Sequence, residues 1–324
     1  MTDYKGIQGF AIQNLTSDPS DADEGQVWYN STTNVFKETA ATTVGTWATT
    51  GSLNTARYSL AGCGTQTAAL AFGGTPPRTG ATEEYNGATW TANPTGLNTA
   101  RESFAGAGTQ TAALGFGGYV GPTFTGATEE YDGSTWTTSP GSLNTARQSS
   151  AGCGLQTAAL AFGGYTTANT GATEEYDGST WTANPTGLNT ARRAFAGAGT
   201  QTAALAFGGY TTTETGATEE YDGSTWTTST PLATARYGPG GAGTQTAALA
   251  SGGQSTTTTG ATELYDGSTW TTNPNSMSTA RSSLAGAGTQ GAGLAFGGNT
   301  PPHTGATEEF TGPGTLVTKT ITTS

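Results

Sequence analysis

The sequence predicts an all-β chain built as a ring of short four-stranded sheets, a β-propeller, and three observations carry that expectation. The first is a period: arginine recurs at Arg57, Arg101, Arg147, Arg192, Arg236 and Arg281, at intervals of 44, 46, 45, 44 and 45 residues. A fixed period of this length marks an array whose units bury their apolar faces against their neighbours. The second is the content of each period, as in Thr190–Thr227: an arginine, two short apolar runs, a Gly-Gly pair, a Glu-Glu-Tyr step, a tight turn and a tryptophan. The third is that no stretch combines helical periodicity with caps.

Within that copy four strands are expected, at Ala194–Ala198, Thr202–Phe207, Ala217–Tyr221 and Thr225–Thr228. Gly-Thr-Gln joins the first two, and Asp222-Gly223-Ser224, a strong tight-turn signal, joins the last two. Alternation along the second strand puts Ala203, Leu205 and Phe207 on one face and Thr202, Ala204 and Ala206 on the other. A large face against a small one lets successive sheets nest closely. Four antiparallel strands per repeat, carried round a ring, make a propeller.

Composition agrees. The chain has 324 residues, 11 Lys plus Arg and a formal charge of −12, which disfavours nucleic acid and anionic membrane surfaces as partners. Thr, Gly, Ala and Ser fill most positions, yet Leu, Phe, Tyr and Trp recur at fixed phase, which disorder would not require. No apolar run approaches the roughly 20 residues of a membrane-spanning helix. Cys63 and Cys153 hold the same phase in the first and third repeats, which keeps them apart and predicts free buried thiols.

At the amino terminus no basic region precedes an apolar core, so no secretory signal is expected and assembly in a host cytoplasm fits. Gly6–Leu15 is a candidate strand. Ser17–Gly25 is an acidic loop in which Asp18, Asp21, Asp23 and Glu24 lack the ligand order of a calcium loop. Gly25–Trp47, with a Trp-Tyr-Asn step before a hairpin that ends in Trp, resembles β-modules of bacteriophage tail-fibre and other virion proteins.

The chain therefore divides into residues 1–50, six repeats over 51–311 and a closing strand over 312–324. Counting Gly9–Gln13, Gln26–Asn30, Val35–Thr39, Thr46–Thr50 and Leu316–Thr322 with the repeats favours seven blades. The alternative is a six-bladed ring in which Thr46–Thr50 completes the last repeat.

A basic residue before the first strand, Gly-Gly ending the second, then an aromatic and a Trp, here Arg192, Gly208, Gly209, Tyr221 and Trp226, resemble the kelch repeat. The Tyr–Trp interval of five is shorter than the usual kelch spacing, and the last unit has Phe310 for Tyr and no Trp after it. The resemblance implies that the six arginines line a central mouth and hold acidic ligands. The residues themselves favour a structural role, each Arg paired with a glutamate of its third strand such as Glu219 or Glu220, because a buried unpaired arginine is costly.

Strand order places the loops between second and third strands on one face, where the copies diverge: Thr75–Thr79, Tyr119–Thr125, Tyr165–Thr170, Tyr210–Thr215, Gln254–Thr259 and Asn299–Thr304. Loops held on a rigid scaffold are the usual site of binding. Tyr119, Tyr165 and Tyr210, read as exposed, are the candidate ligand-binding residues, with Arg78 and His303 in the equivalent loops.

Catalysis finds no support. The Asp132–Trp136 turn resembles the Asp box of sialidases but is one residue shorter, and no carboxylate pair has a unique setting for glycoside hydrolysis. His303 is the single histidine, too few for a copper oxidase of the galactose oxidase type. No catalytic residue, metal or cofactor is expected. In the fifth repeat Ser251 replaces Phe, Leu264 replaces the second Glu and Tyr237-Gly-Pro-Gly replaces the usual strand start, read as local repacking in which Leu264 restores apolar volume, with a specialised contact with a partner as the alternative. The expected function is a non-enzymatic bacteriophage virion protein, tail- or head-associated, that contacts other virion proteins and a host-surface glycan or protein, alone or as an oligomer. The alternatives are a cellular kelch-type module for an acidic peptide and a sialidase-like hydrolase.

Overall fold

The computed structural model describes residues 12–20, 22–41, 44–314 and 316–321. Every regular element among the described residues is a β-strand, and the strands form seven four-stranded sheets. They belong to two compact units, Met1–Gly45 with Gly312–Ser324, and Thr46–Thr311.

The smaller unit holds one sheet in the order Gln13–Leu15, Val27–Asn30, Val35–Ala41, Leu316–Thr320. The first pair is parallel and the other two are antiparallel. The expected strand over Gly6–Leu15 is seen only from Gln13, and residues 1–11 lie outside the described set. Asp18 ties this sheet together by accepting hydrogen bonds from Lys37 Nζ (2.6 Å), Asn30 Nδ2 (2.7 Å) and the indole of the fully buried Trp28 (3.2 Å). The Lys37 and Asn30 contacts hold the Asp18 carboxyl below its ordinary value. Asp21 of the same acidic loop lies outside the described residues.

The larger unit is one sheet per repeat. In the fourth copy the strands are Ala196–Gly199, Ala204–Phe207, Thr218–Tyr221 and Trp226–Ser229, all antiparallel. The first strands of successive repeats pack side by side, and that of the sixth, Ala285–Gly288, returns to that of the first, Ala61–Gly64. The ring therefore closes over six sheets. Seven four-stranded sheets exist, as the strand arithmetic expects, but their strands are shared out as in the six-bladed alternative. Thr46–Thr50 pairs with Thr307–Thr311 as the outer strand of the sixth sheet, with Trp47 opposite Phe310. Leu316–Thr320, expected to close the ring, lies beside Val35–Ala41 instead, because that outer place is already filled.

Neighbouring sheets meet large face to small. Phe116 packs on Trp181 of the next repeat at 4.8 Å between rings, and Phe72, Phe162, Phe207 and Phe296 do the same on Trp136, Trp226, Trp270 and Trp90. Glycine opposite is obligatory: a Cβ at Gly152 would lie 2.5 Å from Phe116 Cζ. Leu205 and Phe207 are wholly buried, each contributing about 1.5–3 kcal/mol.

Polar stitches repeat with the same period. A glutamine after each first strand donates to the preceding repeat, as Gln201 Nε2 does to Ala159 O (3.1 Å) and Tyr176 O (2.7 Å), and Gln66 closes the ring on Gly293 O and Phe310 O. Each outer-strand indole donates to a threonine of the preceding repeat, Trp226 to Thr173 at 2.9 Å. Trp47 donates to Thr262 at 2.9 Å and so supplies the tryptophan that the sixth repeat lacks in its own segment. Cys63 and Cys153 are free and buried, each thiol donating to a carbonyl of the next repeat, Thr109 O and Thr200 O, both at 3.3 Å. Burial pushes the Cys153 thiol up to about 12.

Candidate functional site

The six repeat arginines are 0–1 % exposed, and each is paired with the first glutamate of its own third strand. The separations include 2.8 Å for Arg57–Glu83, 2.5 Å for Arg147–Glu174, 2.9 Å for Arg236–Glu263 and 3.3 Å for Arg281–Glu308; Arg101 pairs with Glu129 and Arg192 with Glu219. The second carboxylate oxygen takes a backbone amide, as Glu219 Oε2 does from Asn189 (2.6 Å). Burial lowers the Arg281 guanidinium to about 10, against the opposing pull of Glu308. These arginines anchor the loop that leads into each first strand, and their charged ends are turned away from solvent.

Two residues beyond each arginine lies an inner ring: Ser59, Ser103, Ser149, Ala194, Gly238 and Ser283. The amide of each donates to the carbonyl of its predecessor, from Ser103 to Ser59 (2.8 Å) round to Ser59 back on Ser283 (2.8 Å). All six residues have positive φ, 52–53° for the five non-glycines and 61° for Gly238. At the five non-glycines such backbone costs on the order of 1–3 kcal/mol per residue and clusters at functional sites. Closure of the hydrogen-bonded ring offsets part of that strain here.

The ring borders an axial cavity of about 180 Å³ lined by Ser59, Ser103, Ser149 and Ser283, by Leu60, Phe104, Phe195 and Leu284, and by Ser150, Tyr237 and Pro239. The wall position that follows the ring residue is apolar in every copy except the third, where it is Ser150. Ser150 is 7 % exposed and its hydroxyl has no hydrogen-bond partner. Leaving a hydroxyl buried and unpaired costs about 1–3 kcal/mol.

The residue between arginine and ring varies, with only tyrosine occurring twice: Tyr58, Glu102, Gln148, Arg193, Tyr237 and Ser282. Each bridges in antiparallel fashion to the first residue of a variable loop, respectively Thr75, Tyr119, Tyr165, Tyr210, Gln254 and Asn299. The mouth is thus rimmed by side chains that the repeat does not dictate.

Along part of this rim the side chains form a continuous arc. Arg78 stacks on Tyr119 at 4.7 Å and binds Glu102 (3.0 Å) and Val120 O (3.2 Å). Phe124 bridges Tyr119 (6.1 Å) and Tyr165 (6.0 Å), and Arg193 lies over both Tyr165 (4.7 Å) and Tyr210 (5.0 Å). Tyr237 meets Tyr210 edge-on at 5.8 Å. On the other side Tyr58 faces His303 at 6.4 Å.

Tyr119, Tyr165 and Tyr210, expected to be exposed, are half-buried, because guanidinium groups cover part of their faces. The structure brings them together with Arg78, while His303 sits apart with Tyr58. Sequence reasoning missed Arg193, Phe124 and the serine ring, and singled out Tyr237 only as part of the irregular fifth repeat. The signal was present: the residue after each arginine is the most varied position of its segment, five kinds of side chain in six copies.

On the opposite face the turns between third and fourth strands are alike. Asp132, Asp177, Asp222 and Asp266 accept amides from the residues two and three positions on, as Asp222 does from Ser224 (2.9 Å) and Thr225 (2.7 Å). Those contacts lower each carboxyl to about 2, with the amide three residues on as the main cause. Asn86 makes the same turn in the first repeat.

No protein-family model matches the chain, and none of the curated proteins compared with it is similar in sequence.

Proposed function

We propose that the chain is a kelch-type propeller acting as a non-enzymatic recognition protein of a bacteriophage particle, with its binding groups on the loop face. One observation carries the recognition reading: six positions equivalent by repeat, Tyr58, Glu102, Gln148, Arg193, Tyr237 and Ser282, hold five different kinds of side chain around a mouth whose supporting frame is repeated. A purely structural ring would have no use for that divergence. The virion assignment draws its support from the tail-fibre-like Gly25–Trp47 passage and from the acidic, Thr- and Gly-rich composition.

Recognition would be of a host-surface glycan or protein. Aromatic edges at Tyr165 and Tyr210 offer stacking to sugar C–H faces, and Arg78 and Arg193 offer N–H donors at the rim. Weak single contacts would gain from many copies on a particle, or from an oligomer. An acidic peptide would find the six buried arginines already paired, and only the two rim arginines within reach.

The test is binding of the purified chain to host cells and to a glycan array, with Arg193→Ala and Tyr165→Ala beside the parent protein. The expected outcome is binding that falls about tenfold in each variant, one anchoring contact being worth about 1.4 kcal/mol. Absence of binding to any host surface or glycan would sink recognition. Absence of the protein from purified particles by mass spectrometry would sink the virion assignment alone.

A further inference from the structure

We propose that the axial cavity binds one uncharged sugar ring, the terminal unit of the glycan met by the loop face; this inference rests on the recognition reading above. Size comes first. A cavity of about 150 Å³ takes a single six-membered ring, and drug-sized ligands need roughly 300 Å³ or more. The cavity of about 180 Å³, partly open to solvent, therefore has room for one ring.

The lining chooses the chemistry. Leu60, Phe104, Phe195 and Leu284 give apolar wall against which the C–H faces of a sugar can lie. Ser59, Ser103, Ser149 and Ser283 line the same space, and their backbone amides are spent on the inner ring. Their hydroxyls are left to a ligand. No charged side chain lines the cavity, and the nearby arginines are neutralised by glutamate, so an anionic sugar would lose water without gaining a partner.

Ser150 gives the second, independent indication. Five of the six equivalent wall positions are apolar, and the sixth puts Ser150 among the lining residues, with a buried hydroxyl that has no partner just behind the cavity surface. A ligand hydroxyl would satisfy it. It also gives an otherwise apolar wall a single polar point, by which a ring-shaped ligand could settle in one orientation.

The experiment is saturation-transfer NMR on the full chain with free glucose, galactose, mannose and N-acetylglucosamine at millimolar concentration, and N-acetylneuraminic acid as the charged comparator. At least one neutral sugar should show transfer and the charged sugar none. Ser150→Ala should weaken that binding about three- to tenfold, the range for one neutral hydrogen bond. Ser150→Leu installs the residue that Leu60 and Leu284 already provide at this position, and should abolish it. Asp222→Asn, in a turn on the opposite face, should leave it unchanged. The proposal is overturned if no neutral sugar binds, if only the charged sugar binds, or if binding persists undiminished in both Ser150 variants. A positive glycan array with no monosaccharide binding overturns the cavity proposal alone; failure of both removes the recognition reading as well.

Discussion

Two interfaces between neighbouring sheets show what the ring requires and what it tolerates. Between the third sheet and the second, Tyr176 donates to Glu130 (2.5 Å) while Ser139 shares the same phenol oxygen (2.6 Å). Tyr131, Tyr221 and Tyr265 repeat the arrangement on Glu84, Glu175 and Glu220, and Tyr85 carries it across the ring closure to Glu309 (2.8 Å). Between the sixth sheet and the fifth the same places hold Phe310 and Leu264, which pack together with Trp47. A hydroxyl donor and its carboxylate acceptor have been removed as a pair, so neither is stranded.

Leu264 therefore does not compensate for Ser251, as expected from the sequence; its partner is Phe310 of the next sheet. The volume that phenylalanine fills in the other repeats is taken by Met277 and Leu284, which cluster with Ala295 and Trp47. Gly286 also closes on the backbone there, a Cβ on it lying 2.5 Å from Gly241 O. The lesson is that each repeat is judged at its boundary with the next. A substitution is read correctly only with the residue it faces across that boundary.

The comparison can be broken most severely where both interfaces agree, at the buried ion pair. Glu219→Ala leaves Arg192 charged and wholly buried, and should cost about 3–5 kcal/mol in denaturant unfolding. Replacing the pair together, Arg192→Met with Glu219→Leu, should recover most of that loss.

Next in size is the irregular interface. Phe310→Tyr alone buries a phenol without an acceptor and should cost about 1–3 kcal/mol, and Leu264→Glu alone should cost at least as much. Combined, they rebuild the regular Tyr–Glu contact, so the double variant should be more stable than the sum of the singles. A double-mutant cycle with no coupling would mean that the two positions do not communicate. In the regular interface, Tyr221→Phe should cost only about 1 kcal/mol, because Asn184 remains on Glu175 (3.2 Å).

The smallest effect concerns the turns. Asp132, Asp177, Asp222 and Asp266 are held near 2 against an ordinary 3.8, so their contribution is fully present above about 3.8 and is lost as pH falls toward 2. Asp222→Asn, which copies the Asn86 turn of the first repeat, should leave stability at neutral pH nearly unchanged and soften the acid transition. A transition that keeps its pH dependence after all four replacements would locate the acid sensitivity elsewhere.

Much of this was legible in the sequence, because the repeat displays its own constraints. The arginine period, the Gly-Gly pair and the Asp-Gly-Ser turn recur wherever the backbone or a neighbour leaves no choice. One arginine and one leading third-strand glutamate in every repeat pointed to their pairing. Ring closure was harder, since Gly45-Thr46-Trp47 parallels Ser224-Thr225-Trp226 only in its last two residues and lies far in sequence from the strand it completes. The mouth was harder still. Loop tyrosines stand out in a Thr-rich sequence, but guanidinium stacking on their faces depends on how two neighbouring loops meet, and no period reports that.

The pairing of Thr46–Thr50 with Thr307–Thr311 has a consequence for biosynthesis. The outer strand of the sixth sheet leaves the ribosome before any repeat, and its partner follows only after the last. Until then Trp47 has neither its strand nor Thr262 to receive its indole proton. A nascent chain can stack its first five repeats in order as they emerge, yet it cannot close the ring until Thr307–Thr311 has been made. A stop codon anywhere before Thr307 would leave an open arc with unpaired edges, a template for aggregation.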